Sequence, residues 1–139
     1  MITIEKDAWA TMVQHGKSAF PKECCGIMLG KEEDGSRLVT LAIPCRNAYE
    51  GEQADRFQLD PKDQLAADRK ARELGLAILG FFHSHPDCDA YFSQTDLKNS
   101  WPWYSNVVMS IQKSEFHHAR SFIANDDQTA STPEPLHYS

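Results

Sequence analysis

A chain of 139 residues with 41% hydrophobic, 10% aromatic and 24% charged content holds enough apolar material for one core and too much for a disordered chain. No run approaches the roughly 20 apolar residues of a membrane-spanning helix, and the opening MITIEKDAWA lacks the basic region and apolar run of a signal peptide, so a cytoplasmic protein is expected. Twenty acids against fourteen bases leave a net charge of −6, which argues against nonspecific binding to nucleic acid or to an anionic membrane.

Ile2 to Ile4 reads as a short opening strand. Asp7 is a candidate N-cap for a helix to about Phe20, with Trp9, Met12 and Val13 at helical spacing on its core face. Pro21 ends that helix. Cys25 to Gly30 is apolar enough for a strand, and Leu38 to Ile43 returns as its hairpin partner across Asp34-Gly35, the strongest local turn signal. Residues 47–54 read as a polar loop, and Arg56 to Leu59 as a short strand. Asp60-Pro61 is an N-cap followed by the favoured first-turn proline, and Gly75 stands where a helix-terminating glycine belongs, so a helix spans about 61–74. Leu76 to Phe82 is nearly continuous apolar sequence, the mark of a buried strand. Ser93 is the N-cap of a short helix to about Ser100. Val107 to Ile111 and Arg120 to Ala124 read as the last two strands. Residues 125–139 carry few apolar side chains and are expected to form a loosely attached tail on a domain spanning 1–124.

The four cysteines form no framework. Cys24 and Cys25 are adjacent, and no CxxC occurs, so Cys24, Cys25, Cys45 and Cys88 are expected to be reduced thiols, mostly buried as small hydrophobes.

The chemistry is concentrated after the buried strand, in His83-Ser84-His85-Pro86 and then Ser93-Gln94-Thr95-Asp96. His83 and His85, at i and i+2 on a strand end, leave by the same face and can converge on one ion. Ser93 and Asp96, at i and i+3 at a helix start, share one side of the first turn. Two histidines and a carboxylate make a normal zinc set with a fourth position left for water, the mark of a catalytic site. A zinc hydrolase also needs a nearby general base. Glu23, in Pro21-Lys22-Glu23-Cys24-Cys25-Gly26, is the candidate, although nothing local places it beside His83 and His85.

These residues resemble the signature of the JAMM (JAB/MPN-domain) metalloprotease family: an upstream glutamate, H-[ST]-H-P, and, with seven residues intervening after the second histidine of that motif, S-x-x-D. The likeness extends to the short bacterial branch through PKECCGIMLG, the Asp55-Arg56-Phe57 stretch, DPKDQL and GFFHSHPD in the same order. It fades after about Ala124. The resemblance implies an α+β fold, a mixed and largely antiparallel sheet flanked by helices and related to the cytidine deaminase fold. It implies one Zn2+ per chain on His83, His85 and Asp96. Glu23 would act as general base and Ser93 as donor to the tetrahedral oxyanion. The implied partner is a ubiquitin-like (β-grasp) sulfur-carrier protein with a Gly-Gly C-terminus, cleaved after its terminal glycines to release an amino acid such as cysteine or to trim the end. The resemblance also allows a homodimer.

Two other functional classes fit these residues less well. A catalytically silent MPN scaffold normally loses ligands, and here all are present. A zinc deaminase needs H-x-E with P-C-x-x-C; His83-Ser84-His85 has no such glutamate and Pro44-Cys45 has one cysteine. Trp101, Trp103 and Tyr104 are expected to pack in the core, with a wall for an extended substrate as the alternative. Met28 and Met109 are expected in the core. Cys88 is expected to be an incidental loop thiol, with a metal-quenching or redox-sensitive thiol as the alternative. His117 and His118, adjacent on a strand, are expected to face opposite ways.

Overall fold

The computed structural model describes residues 1–54 and 56–138; Asp55, part of the family-like stretch quoted above, lies outside the described residues. The elements in chain order are β1 (Ile2–Ile4), α1 (Lys6–Ala19), β2 (Cys25–Glu33), β3 (Ser36–Cys45), α2 (Pro61–Leu74), β4 (Ala77–Pro86), α3 (Gln94–Asn99), β5 (Ser105–Gln112), β6 (Glu115–Ala124), β7 (Ser131–Glu134) and β8 (Leu136–Tyr138). The strands form one sheet in the order β7-β6-β5-β4-β2-β3-β1-β8. The β1–β3, β1–β8 and β4–β5 pairs are parallel and the other four are antiparallel. The fold is the mixed, largely antiparallel sheet flanked by helices that the family resemblance implies.

Local chemistry sets most boundaries. Asp34 and Gly35 both adopt positive φ, the conformation that turns β2 into β3. Asp60 caps α2 by accepting from the Lys62 N–H, Pro61 opens the helix, and Gly75 closes it in the left-handed region. α1 starts earlier than predicted. Its N-cap is Glu5, whose carbonyl accepts from the Trp9 N–H, and Asp7 lies in the first turn, where a carboxylate favours the helix dipole. The segment 56–59 is not a strand. It makes one isolated bridge, Asn47 to Leu59, because the side chain of Asn47 takes over the hydrogen bonds of that loop.

The first and last strands of the sheet order, β7 and β8, are separated in sequence by Pro135 alone. Consecutive Cα atoms are about 3.8 Å apart, so the two sheet edges must meet at this point. The sheet therefore curls into a closed or nearly closed ring around α1. Trp9 and Met12 of α1 pack inside it against Ile2, Ile4, Met28, Val39, Leu79, Phe82, Val107, Met109 and Ile111. The expected loose tail is corrected here: residues 131–138 are the closing seam. Glu134 accepts from the Ser121 hydroxyl, Pro135 accepts from the Ile2 N–H, and Tyr138 stacks on Trp9 at 4.1 Å.

The opposite face of the sheet carries a second cluster. Cys25, Ile27, Leu29 and Cys45 pack under Ala67 and Ala71 of α2. A third, smaller cluster of Ala90, Val108 and Phe122 with Phe92 lies along β5 and β6. No helix among the described residues is long and apolar enough to cross a membrane.

Candidate metal centre

β4 runs four residues past its predicted end, through His83-Ser84-His85-Pro86. That extension decides the site. β2 pairs antiparallel with β4, Cys25 opposite His83, and the Ser84 N–H donates to the Cys24 carbonyl. Continuing the register by two residues sets Glu23 opposite His85. Directly opposed residues share a sheet face, so Glu23, His83 and His85 converge. One ligand-type atom from each lies within 4.8 Å of the others, and all three residues are buried.

Ser84 points to the other face, as alternation requires. Its hydroxyl accepts from the Cys24 N–H at 2.8 Å and ties the start of β2 to β4. The Glu23 backbone is held from the other direction. Its N–H donates to the Gln53 carbonyl at 2.7 Å, and its carbonyl accepts from Asn47 Nδ2 at 3.2 Å. Neither Ser84 nor Asn47 was singled out from sequence. Alternation along the strand could have flagged Ser84; the role of Asn47 has no local signal.

α3 supplies the fourth residue. Ser93 and Asp96 form a reciprocal capping box: Ser93 Oγ accepts from the Asp96 N–H at 3.0 Å, and Asp96 Oδ2 accepts from the Ser93 N–H at 3.1 Å. The box turns Asp96 Oδ2 to 3.2 Å from both His83 Nε2 and His85 Nε2, and the two nitrogens are themselves 3.2 Å apart. Three atoms at the corners of an equilateral triangle suit a tetrahedral ion. Bonds of about 2.0–2.1 Å place such ligands about 3.3–3.4 Å apart.

His85 Nδ1 lies 3.2 Å from the Asp89 carbonyl, so that nitrogen carries the proton and donates. With Nδ1 so engaged, Nε2 is the ring atom aimed at Asp96 Oδ2 and His83 Nε2. Three ligand-type atoms aimed at one point are what a metal ion requires, and a backbone carbonyl fixing the outer nitrogen is the usual support of a histidine ligand. Burial, the largest influence, drives His83 below its ordinary value toward the neutral imidazole. Burial works against charge on Asp96 too. The two histidines and the Ser93 N–H outweigh it and hold the carboxyl well below the usual carboxylate range. Both shifts favour the deprotonated forms that ligate metals.

Aromatic rings brace the imidazoles. Phe57 stacks on His83 at 4.5 Å, and Tyr91 meets His85 edge-on at 4.8 Å. Beside them opens a cleft of about 420 Å3, lined in part by Phe57, Leu59, Phe81, Phe92, Asp96 and Trp101. Of the aromatic cluster expected in the core, Tyr104 is half-buried with its ring edge-on to Phe81 at 5.3 Å, and the two tryptophans lie at the surface. Trp101 is 62% exposed at this cleft, and Trp103 is 48% exposed over the Arg37 guanidinium, 4.0 Å away. Met28 and Met109 are core residues, and Cys88 is exposed. His117 and His118 do not face opposite ways. A bulge between Ser110 and Ile111 makes His117 an extra residue in β6, and the two Nδ1 atoms lie 2.7 Å apart.

Residues 5–133 match the family described as prokaryotic homologs of the JAB domain. The chain is 32% identical over 138 residues to a CysO-cysteine peptidase of Mycobacterium tuberculosis, which covers 98% of this chain and 90% of that one. It is 30% identical over 114 residues to a desampylase of Haloferax volcanii, covering 78% and 80% respectively. A solution structure of a Desulfitobacterium hafniense protein superposes with a TM-score of 0.87 at 29% identity, over 100% of this chain and 93% of that one. One from Salinibacter ruber gives 0.75 at 29% identity, over 99% and 91%.

Proposed function

The chain belongs to the family of prokaryotic homologs of the JAB domain, and from that premise we propose that it is a zinc peptidase acting on the C-terminus of a ubiquitin-like sulfur-carrier protein. His83, His85 and Asp96 would hold the ion. The observation that carries this reading is the 3.2 Å triangle of donor atoms with the proton of His85 committed to Asp89. When bound, zinc supplies Lewis acidity, which makes water a nucleophile near neutral pH and polarises a carbonyl.

The remaining roles fall to this chain's own side chains. Glu23, buried on the same face as the two histidines, takes a proton from the attacking water and passes it to the leaving amine. Ser93 uses an oxygen lone pair for the Asp96 N–H, which leaves its hydroxyl proton to donate to the oxyanion of the tetrahedral intermediate. Phe57 and Tyr91 keep the imidazoles oriented. A Gly-Gly tail suits the approach, because a strand without side chains passes close to a recessed centre. The relatives named CysO-cysteine peptidase and desampylase support a peptidase acting on small protein conjugates.

The test is direct. A β-grasp carrier extended past its Gly-Gly end by cysteine or a short peptide is incubated with the purified chain and followed by mass spectrometry, with metal content measured alongside. Cleavage after the second glycine, lost to a chelator and restored by zinc, is expected. An intact carrier in the presence of stoichiometric zinc would overturn the proposal.

A further inference from the structure

The loop from Asp87 to Phe92 joins β4 to α3 and so connects the ligand-bearing elements. It is stapled to β5 and β6. The Asp87 N–H donates to the Ile111 carbonyl at 2.8 Å, and its carboxylate accepts from the Lys113 N–H at 2.9 Å. The Ser110 hydroxyl donates to the Cys88 carbonyl. The Ala90 N–H donates to His118 Nε2 at 2.9 Å. Ser110 and His118 are register partners across β5 and β6, so one cross-strand pair grips the loop on both sides of Asp89.

The Asp89 carbonyl and the Ala90 N–H belong to the same peptide group. Its oxygen accepts from His85 Nδ1, and its hydrogen goes to His118. Ala90 is 1% exposed, so water cannot replace His118 as the acceptor. Accepting at Nε2 requires the neutral tautomer with its proton on Nδ1, and that proton has a partner in His117 Nδ1, 2.7 Å away. The bulge that brings the two rings together therefore sets the tautomer of His118.

We propose that His118 is a positioning residue for His85. It fixes the Asp89–Ala90 peptide, whose carbonyl fixes the His85 ring and so the direction in which its Nε2 points. The inference rests on reading His83, His85 and Asp96 as a metal site. Removing the acceptor frees the peptide to rotate and loosens His85 without touching a ligand. Outer partners of histidine ligands typically change metal affinity by about 10–100-fold.

Zinc affinity by chelator competition, compared with the metal-free melting temperature, tests it in three proteins. His118→Leu removes the acceptor and is expected to weaken zinc by about tenfold or more. His118→Gln carries an amide oxygen at similar reach and is expected to stay close to wild type. Equal affinity in His118→Leu and wild type, or equal losses in Leu and Gln, would overturn the inference. A wild-type chain that takes up no zinc would overturn the reading of the site and this inference with it. Should His118→Leu fail to fold, nitrogen NMR of the metal-free wild type decides. An unprotonated His118 Nε2 with a protonated His85 Nδ1 is expected; the opposite tautomer at either ring would overturn the proposal.

Discussion

Two buried polar clusters lie at opposite ends of β4 and β5, and they are closed in different ways. At the start of these strands Arg37, 7% exposed, donates to Glu32 at 2.7 Å, to the Ser105 hydroxyl at 2.8 Å and to the Leu79 carbonyl at 3.4 Å, with Trp103 over its face. Cation, anion and neutral acceptors are all supplied by the chain. At the other end His83 Nε2, His85 Nε2 and Asp96 Oδ2 turn toward one another at 3.2 Å, and each is a potential metal ligand. A buried polar group ringed by its own partners is architecture; buried ligand-type atoms aimed at one shared point mark a candidate site.

The contrast can be broken or sharpened by experiment. The largest effect is expected at Glu23. Glu23→Gln keeps the shape but cannot ferry a proton, so turnover of the extended carrier should fall by about 10²–10⁴-fold with zinc content unchanged. Retained turnover would remove the general-base role.

Arg37→Met tests the closed cluster. It strands Glu32, which is 35% exposed and partly rescued by water, so the loss should be roughly 2–3 kcal/mol by urea unfolding. Zinc per chain should not change. A parallel loss of zinc would show that the two ends are coupled through β4 and β5.

Asp96→Asn tests the open cluster. Asp96 Oδ2 is the one atom that faces both imidazoles and also accepts from the Ser93 N–H, so an amide there removes the anionic ligand while keeping the shape of the side chain. Stabilisation by added zinc should shrink or vanish in thermal melts. A variant stabilised by zinc as strongly as wild type would remove Asp96 from the metal site.

The smallest effects concern the buried thiols at the histidine end of the sheet. Burial pushes Cys24 and Cys45 up to about 12 and raises Cys25 as well. The neutral thiol is the form that fits. Its contribution is therefore complete below the ordinary value of 9.0 and drains away as pH rises toward 12, so the urea midpoint should fall from pH 9 upward. At pH 8 iodoacetamide should label only exposed Cys88 in the native protein and all four cysteines in urea. Native labelling of Cys24 would contradict its burial.

Much of the fold was legible because its signals are local. The caps of α2, the Asp34-Gly35 turn, the apolar run of β4 and the S-x-x-D start of α3 each depend on residues within a few positions. The failures share a cause. β7 and β8 are four and three residues long, and their strand character comes from partners more than a hundred residues away at one edge. Trp101 and Trp103 are apolar by type, and no local pattern reveals that each is left at a surface, one at the cleft and one over Arg37. The bulge that turns His117 toward His118 depends on a register between strands.

By itself the sequence determined which side chains could do chemistry: two histidines sharing a strand face, a serine and an aspartate sharing a helix turn, and an isolated glutamate. Spacing along one element fixes direction, so those pairings were readable. Only the tertiary structure decided that Glu23 lies beside His83 and His85, that β4 runs on past Phe82 to carry both rings, and that Asp89, Ala90 and His118 lock one of them in place. Those decisions belong to strand register and loop closure, which depend on what lies across the gap rather than on what comes next in the chain.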